Sequence, residues 1–295
     1  MAAIGYGADM AGTSERVAVV TDSTTYLPET LATEAGLTVV PLTVVIDGEP
    51  GLEGIDITPA DVAKALEHRR AHVTTSRPAP GAFAETYRQL LDGGAPGVVS
   101  VHLSAQLSGT YEAARLAADE FGGRVEVVDS CSTGMGLGFP ALAAAAAAAD
   151  GKSLPEVRAA ALATADRTTT LFYVDTLEFL RRGGRIGAAS ALLGTALSVK
   201  PILRLAGGRI AVSDKVRTAG RALARLVDLA VEAAGDGTVD IAVHHLAATE
   251  RAEALRGSLT ARLGDRIRRV YATEVGAAVA AHAGPGLLCA VVSRR

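Results

Sequence analysis

The sequence predicts an α/β protein of two domains. The first is a mostly parallel, Rossmann-like sheet with helices on both faces, and the second is an α+β two-layer domain. Three observations carry this reading. Short apolar runs alternate with helical stretches through the first half, the pattern of a parallel sheet covered on both sides. Hydroxyl-rich loops recur where those runs end, and in open α/β sheets that edge is where ligands gather. The second half carries a hairpin signal beside long helical stretches, which reads as a separate layer. The 295 residues give room for two domains. A cut near residue 160 places them over 16–160 and 161–295, behind a Gly/Ala-rich tail over 1–15. The closing run Leu287–Val292 suits either sheet.

Arg16–Thr21 is a short apolar strand ending in Asp22-Ser23-Thr24-Thr25. Pro28–Ala35 has helical character, and Leu37–Ile46 reads as one strand closed by the turn Asp47-Gly48. Thr58-Pro59-Ala60-Asp61 opens a helix to about Arg70, with a hydroxyl cap, Pro at the first position and an acid in the first turn. Thr74–Pro78 is a polar loop, Pro80–Leu91 a helix and Val98–Leu103 a strand. Ser104–Thr110 is a second polar loop, with Ser108 placed to cap a helix through Phe121. Arg124–Asp129 is a strand with Ser130-Cys131-Ser132-Thr133 at its end, and two Ala-rich helices follow, parted at Asp150-Gly151.

Thr168–Val174 is a strand. Asp175 and Glu178 have capping-box spacing before a short helix that stops at Gly183-Gly184. Gly187–Ser198 reads as an apolar helix, and Pro201–Ala206 with Ile210–Ser213 as a hairpin around Gly207-Gly208. Helices over Val216–Ala234 and Thr249–Leu263 alternate with strands over Val239–His244 and Ile267–Tyr271.

Composition excludes several functions. A net charge of −3 argues against a nucleic-acid binder relying on bulk basicity. With no Trp, 5 Phe and 6 Tyr there are few platforms for stacking bases. Cys131 and Cys289 fit neither zinc spacing nor a disulfide framework, so no metal is expected and a cytoplasmic setting is. No apolar run reaches the ~18–20 residues of a membrane span, so no stable membrane insertion is expected. A Walker phosphate loop, a G-x-S-x-G elbow, an H-E-x-x-H pair and a G-x-G-x-x-G fingerprint are all missing.

Five motifs remain as candidate chemistry. Thr75-Ser76-Arg77-Pro78 displays hydroxyls on an extended loop, or is simply a helix start. Ser104-x-x-x-Ser108-Gly109-Thr110 caps a helix, or adds hydroxyls to free backbone N–H groups that hold an anion. His282-Ala283-Gly284-Pro285-Gly286 combines a His with a turn that allows close backbone approach. Arg181-Arg182-Gly183-Gly184-Arg185 ends a helix and frees Arg185 to aim at an anion, and Lys215-Val216-Arg217 is a similar cationic spot.

These motifs, with Val20-Thr21-Asp22-Ser23-Thr24, Val40-Pro41-Leu42, Val128-Asp129-Ser130 and Lys200-Pro201-Ile202-Leu203, run in an order and spacing that resembles the DegV family, which includes the fatty-acid-binding FakB proteins. The likeness spans Val17 to the C-terminus. It implies a carrier without catalytic residues or cofactor, holding one long-chain fatty acid with its tail in an apolar tunnel and its carboxylate near the domain junction. It also implies a partner, a FakA-type fatty acid kinase, whose acyl phosphate product feeds phospholipid synthesis. By motif, Thr75, Ser108 and His282 bind the carboxylate, with Ser104 a less direct contact, and Arg185 and Arg217 stand near the head group or on the kinase-docking face. Arg77 departs from the family's usual Gln and adds a charge to that loop; Ala283 is a second, milder departure. Two other readings stay open. One is an enzyme acting on a small phosphorylated or carboxylated substrate through Asp22, Ser23 and Ser130. The other is a regulatory protein docking through Arg185 and Arg217.

Overall fold

The structure is a computed structural model that describes residues 15–67, 72–192 and 199–295. In chain order its first elements are β1 (Ala18–Asp22), α1 (Glu29–Glu34), β2 (Leu37–Val40), β3 (Thr43–Ile46), β4 (Glu49–Leu52), α2 (Pro59–Glu67), β5 (Val73–Ser76), α3 (Pro80–Asp92), β6 (Val98–His102), α4 (Thr110–Ala118), β7 (Val125–Asp129), α5 (Met135–Ala149) and α6 (Leu154–Asp166). They continue as β8 (Thr168–Tyr173), α7 (Glu178–Arg182), β9 (Lys200–Ala206), β10 (Arg209–Val216), α8 (Ala219–Ala234), β11 (Val239–His245), α9 (Thr249–Leu263), β12 (Ile267–Glu274), α10 (Ala277–Ala283) and β13 (Leu288–Arg294). The fold is α/β, built as two compact units.

One unit holds residues 15–42 and 76–166. Its four strands are all parallel, in the order β2-β1-β6-β7. Alternate residues of a strand face opposite sides, and the core divides accordingly. Val20 and Val98 pack with Phe83 and Tyr87 of α3 and Ala113 of α4. Val19, Val99 and Val101 pack with Leu137 and Ala144 of α5 and Val157 of α6. Near-continuous apolar strands are what a sheet covered on both faces requires.

The other unit holds residues 43–75 and 167–295. Its six-stranded sheet runs β10-β9-β8-β13-β11-β12. All its neighbours are antiparallel except β11 and β12. Leu171, Ile202, Ile241 and Val292 face α8 and α9, whose Leu226 and Leu255 complete that core. A three-stranded sheet, β4-β3-β5, belongs to the same unit, and α10 packs against α2 and β3.

Several expectations are corrected. The cut near 160 ignores a discontinuity: Thr43–Thr75 packs with the C-terminal unit. The run Leu37–Ile46 is accordingly two strands in two sheets, broken where Pro41 removes a backbone donor. Val73–Ser76 is a strand and not part of a polar loop. The short helix α7 has Leu177 at its N-cap with no side-chain cap bond. Asp175 is drawn off instead to the Tyr173 hydroxyl and the Arg251 guanidinium. Helix α8 starts after Val216, which ends β10, with Thr218 as its N-cap and the Thr218 hydroxyl accepting from Arg221 N. Gly187–Leu192 is a 3₁₀ turn; the rest of the helix expected to Ser198 lies outside the described residues, as do the helix end at Arg70 and residues 1–14 of the tail. Strand β13 settles in the six-stranded sheet, between β8 and β11.

Candidate functional site

Within the C-terminal unit, two of the motif residues meet. Thr75, near the end of β5, places Oγ1 2.8 Å from Nε2 of His282, near the end of α10 and 207 positions away in the chain. The His282 ring backs onto the turn after α7. That turn is a Schellman motif: Gly184 adopts φ +70° while Arg185 N reaches the Leu180 carbonyl and Gly184 N the Arg181 carbonyl. A Cβ at Gly183 would fall 2.1 Å from His282 Nδ1, so only glycine lets the ring lie there. Arg185 curls over the same residue, its Nη1 donating to the Gly183 carbonyl at 2.6 Å. Thr75, His282 and Arg185 therefore share one neighbourhood.

The electrostatics fix the imidazole's state. Burial, and after it the nearby Arg185 charge, holds the His282 pKa down at about 4, so the ring is neutral near pH 7. Its Nδ1 is buried without a hydrogen-bond partner. A lone pair on Nδ1 suits the cation nearby, whereas an N–H there would be wasted. The proton therefore belongs on Nε2, which donates to Thr75 Oγ1. With Nε2 as donor, the Thr75 hydroxyl can still donate its own hydrogen to an acceptor.

Ser108 stands in the N-terminal unit. It does not cap α4, whose N-cap is Gly109 with no side-chain cap bond. Its Oγ accepts from Thr110 N at 3.3 Å and shares a 2.9 Å hydrogen bond with the Thr110 hydroxyl. Ser104 Oγ accepts from Gln106 N and shapes the same loop. Arg77 packs over this loop, its Nη1 within 2.3 Å of where a Gly109 Cβ would sit. Arg217 is exposed just beyond β10.

The strand-end residues of the small-substrate reading are occupied otherwise. Asp22 is fully buried, and its carboxylate takes four donors. Oδ1 accepts from Thr24 N at 3.0 Å and Thr24 Oγ1 at 2.6 Å, and Oδ2 from Leu103 N at 2.9 Å and His102 Nδ1 at 3.0 Å. The chain of donors continues: Tyr87 OH donates to Ser100 Oγ at 2.8 Å, and Ser100 Oγ lies 2.7 Å from His102 Nε2. The sheet order makes β1/β6 the switch point, where open sheets usually take a ligand. Here Asp22 spans it. Ser23 Oγ accepts from Leu42 N, and Ser130 Oγ donates to the Ser132 carbonyl. His102 was invisible to sequence reasoning, because nothing local ties it to Asp22 80 positions earlier.

Other titratable groups lie apart from these clusters. His244 is buried on β11, bonded to Thr273 Oγ1 and held down at about 4 by burial. Burial pushes the Cys289 thiol up to about 12. Among the described residues no group of three His, Cys, Asp or Glu side chains is placed to hold a metal ion, and no helix is long and apolar enough to cross a membrane.

Comparison with known proteins covers nearly the whole chain. The family model described as "Uncharacterised protein, DegV family" matches residues 16–295. The DegV domain-containing protein SCO2569 of Streptomyces coelicolor is 54% identical over 285 residues, which cover 96% of this chain and 100% of that protein. Among solved structures, a fatty-acid-binding DegV family protein from Thermus thermophilus is 36% identical with a TM-score of 0.90, over 95% of this chain and 100% of that one. DegV of Bacillus subtilis, a fatty acid binding protein, is 30% identical with a TM-score of 0.85, over 96% and 100%. The chain belongs to the DegV family.

Proposed function

We propose that this protein is a carrier that binds one long-chain fatty acid, with the carboxylate received by the Thr75–His282 pair. The observation that carries this reading is the pair's polarity. Thr75 Oγ1 lies 2.8 Å from Nε2 of a His held neutral, so a hydroxyl that accepts from the ring can give its own hydrogen to a carboxylate. A carboxylate needs such donors, because burying it unpaired costs several kcal/mol. The fatty-acid binding of the Thermus and Bacillus relatives supports the same class of ligand. The motif resemblance adds Ser108 as a further hydroxyl donor, to be tested separately. Arg185, bonded to the Gly183 carbonyl, lends positive charge near His282 without forming an intimate pair with the ligand. That leaves the acid releasable. Tail burial supplies the affinity: at ~0.8 kcal/mol per CH₂, a sixteen-carbon chain gains roughly 10 kcal/mol before ordering costs.

We further propose that the bound acid is presented to a FakA-type kinase, with exposed Arg217 on the docking face. A small-substrate enzyme using Asp22 is disfavoured by the saturation of that carboxylate. The test is organic extraction of the purified protein with mass spectrometry, then titration with palmitate and oleate, then an ATP-dependent acyl phosphate assay with the kinase. Co-purifying or added fatty acid at one equivalent is expected. An empty protein that takes up neither acid overturns the carrier reading, and a loaded protein that no such kinase uses overturns the presentation step.

A further inference from the structure

Helix α10 is an unusual support for a binding residue. Its inward positions are Ala277, Ala278, Ala280, Ala281 and Ala283, all buried. Methyl groups this small interdigitate little, so side-chain packing alone sets the helix's axial position and rotation loosely. Something else must fix where His282 stands. Backbone bonds flank the helix, with Val275 N donating to the His245 carbonyl before it and Gly286 N to the Leu246 carbonyl after it. Within the first turn of the helix the restraint is a side chain from the segment 43–75, which also carries Thr75.

That side chain is Glu53. Its residue is buried, at 5% exposure, and its Oε1 accepts from Ala278 N at 2.7 Å, in the first turn of α10. The first turn of a helix leaves N–H groups without intrahelical partners, and a carboxylate there satisfies a donor and meets the positive end of the dipole. Glu53 is itself held rigidly. It pairs in a bridge with Ile57, and its loop is closed by Gly54 N to the Ile57 carbonyl, Asp56 N to the Leu52 carbonyl and Leu52 N to Asp56 Oδ2. The segment 43–75 thus grips α10 at both ends, through Glu53 at the first turn and Thr75 at the last.

We infer that Glu53 is a positioning residue for the head-group pair: it sets the register of α10 so that His282 Nε2 meets Thr75 Oγ1. This rests on the carrier reading and adds to it a residue that touches no ligand. The acceptor and its reach matter, and the negative charge matters less. Glu53→Gln keeps an oxygen in place, whereas Glu53→Asp keeps the charge and withdraws the oxygen by one methylene.

The experiment is palmitate titration of wild type, Glu53→Ala, Glu53→Gln and Glu53→Asp in wild-type and Thr75→Ala backgrounds, with urea midpoints for each. Glu53→Ala should weaken palmitate binding about 5–30-fold, no more than breaking the pair itself at Thr75, and Glu53→Gln by no more than about 3-fold. In the Thr75→Ala background Glu53→Ala should add less than about 2-fold, because the pair it positions is already broken. If Glu53→Ala does not fold, Glu53→Asp carries the same expectation. The ring ¹⁵N shifts of His282 should move in Glu53→Ala or Glu53→Asp and stay in Glu53→Gln. Losses that simply multiply across the two sites, or a Glu53→Ala protein that binds like wild type, overturn the inference. A wild-type protein that takes up no palmitate overturns the carrier reading itself, and this inference with it.

Discussion

Two histidine networks, one in each unit, differ in how fully their hydrogen-bonding capacity is used. Around His102 every position is used: Asp22 accepts four hydrogen bonds, and both ring nitrogens of His102 are engaged. Around His282 one ring nitrogen is engaged and the other has no partner, and Thr75 is only half-buried. A saturated buried network holds a fold in one conformation and offers a ligand nothing. An unsaturated one beside a partly exposed hydroxyl keeps hydrogen-bonding capacity in reserve. Asp22 and His282 both lie in family motifs, yet only the first has its hydrogen-bonding capacity filled within the protein.

The contrast can be broken most forcefully at Asp22. Asp22→Ala strands four buried donors at the meeting of β1 and β6 and should cost ~3–5 kcal/mol of stability, read from urea unfolding. A urea midpoint equal to wild type would mean that the network is not structural. Next comes acid. The folded-state pKa of His282 is depressed to about 4 from an unfolded value of 6.5. The unfolded chain therefore binds more protons between those values, and stability present above the upper one is lost as pH falls toward the lower. Between pH 7 and 4.5 this group should account for ~2 kcal/mol, less than the full shift implies because the ring is partly exposed. His282→Gln should flatten that part of the pH profile; identical slopes would refute it. The smallest change in stability is expected at Thr75. Thr75→Ala should move the urea midpoint by less than ~0.5 kcal/mol while weakening palmitate binding by ~1–2 kcal/mol. A variant that loses stability but retains affinity would reverse the contrast between the two networks.

The parallel sheet was legible because its strands are continuous apolar runs, such as Val98–His102, with turn residues between them. The hairpin of β9 and β10 announced itself through Gly207-Gly208. Strand β5 was not legible: Val73-Thr74-Thr75-Ser76 is polar, and its pairing partners come from elsewhere in the chain. Helix α10 escaped for a different reason. Seven residues of which five are Ala carry no apolar period to detect. The candidate site was half legible in consequence. The motifs named Thr75 and His282, but the strand and helix that join them, and Glu53 behind them, exist only through contacts distant in sequence. Thr43–Thr75 joining the far unit is the same effect at the scale of a domain.

That discontinuity bears on how the chain is made. Synthesis delivers Thr75 long before His282, with 207 positions between them. The segment 43–75 must wait, its three strands without α10 to pack against, while the parallel-sheet unit whose two parts flank it in sequence can already condense. Closing so long a loop is slow even though its entropy grows only logarithmically with length. The Thr75–His282 pair is therefore among the last contacts that a nascent chain can form, and a polypeptide truncated before α10 would hold every strand of the first unit and lack that pair.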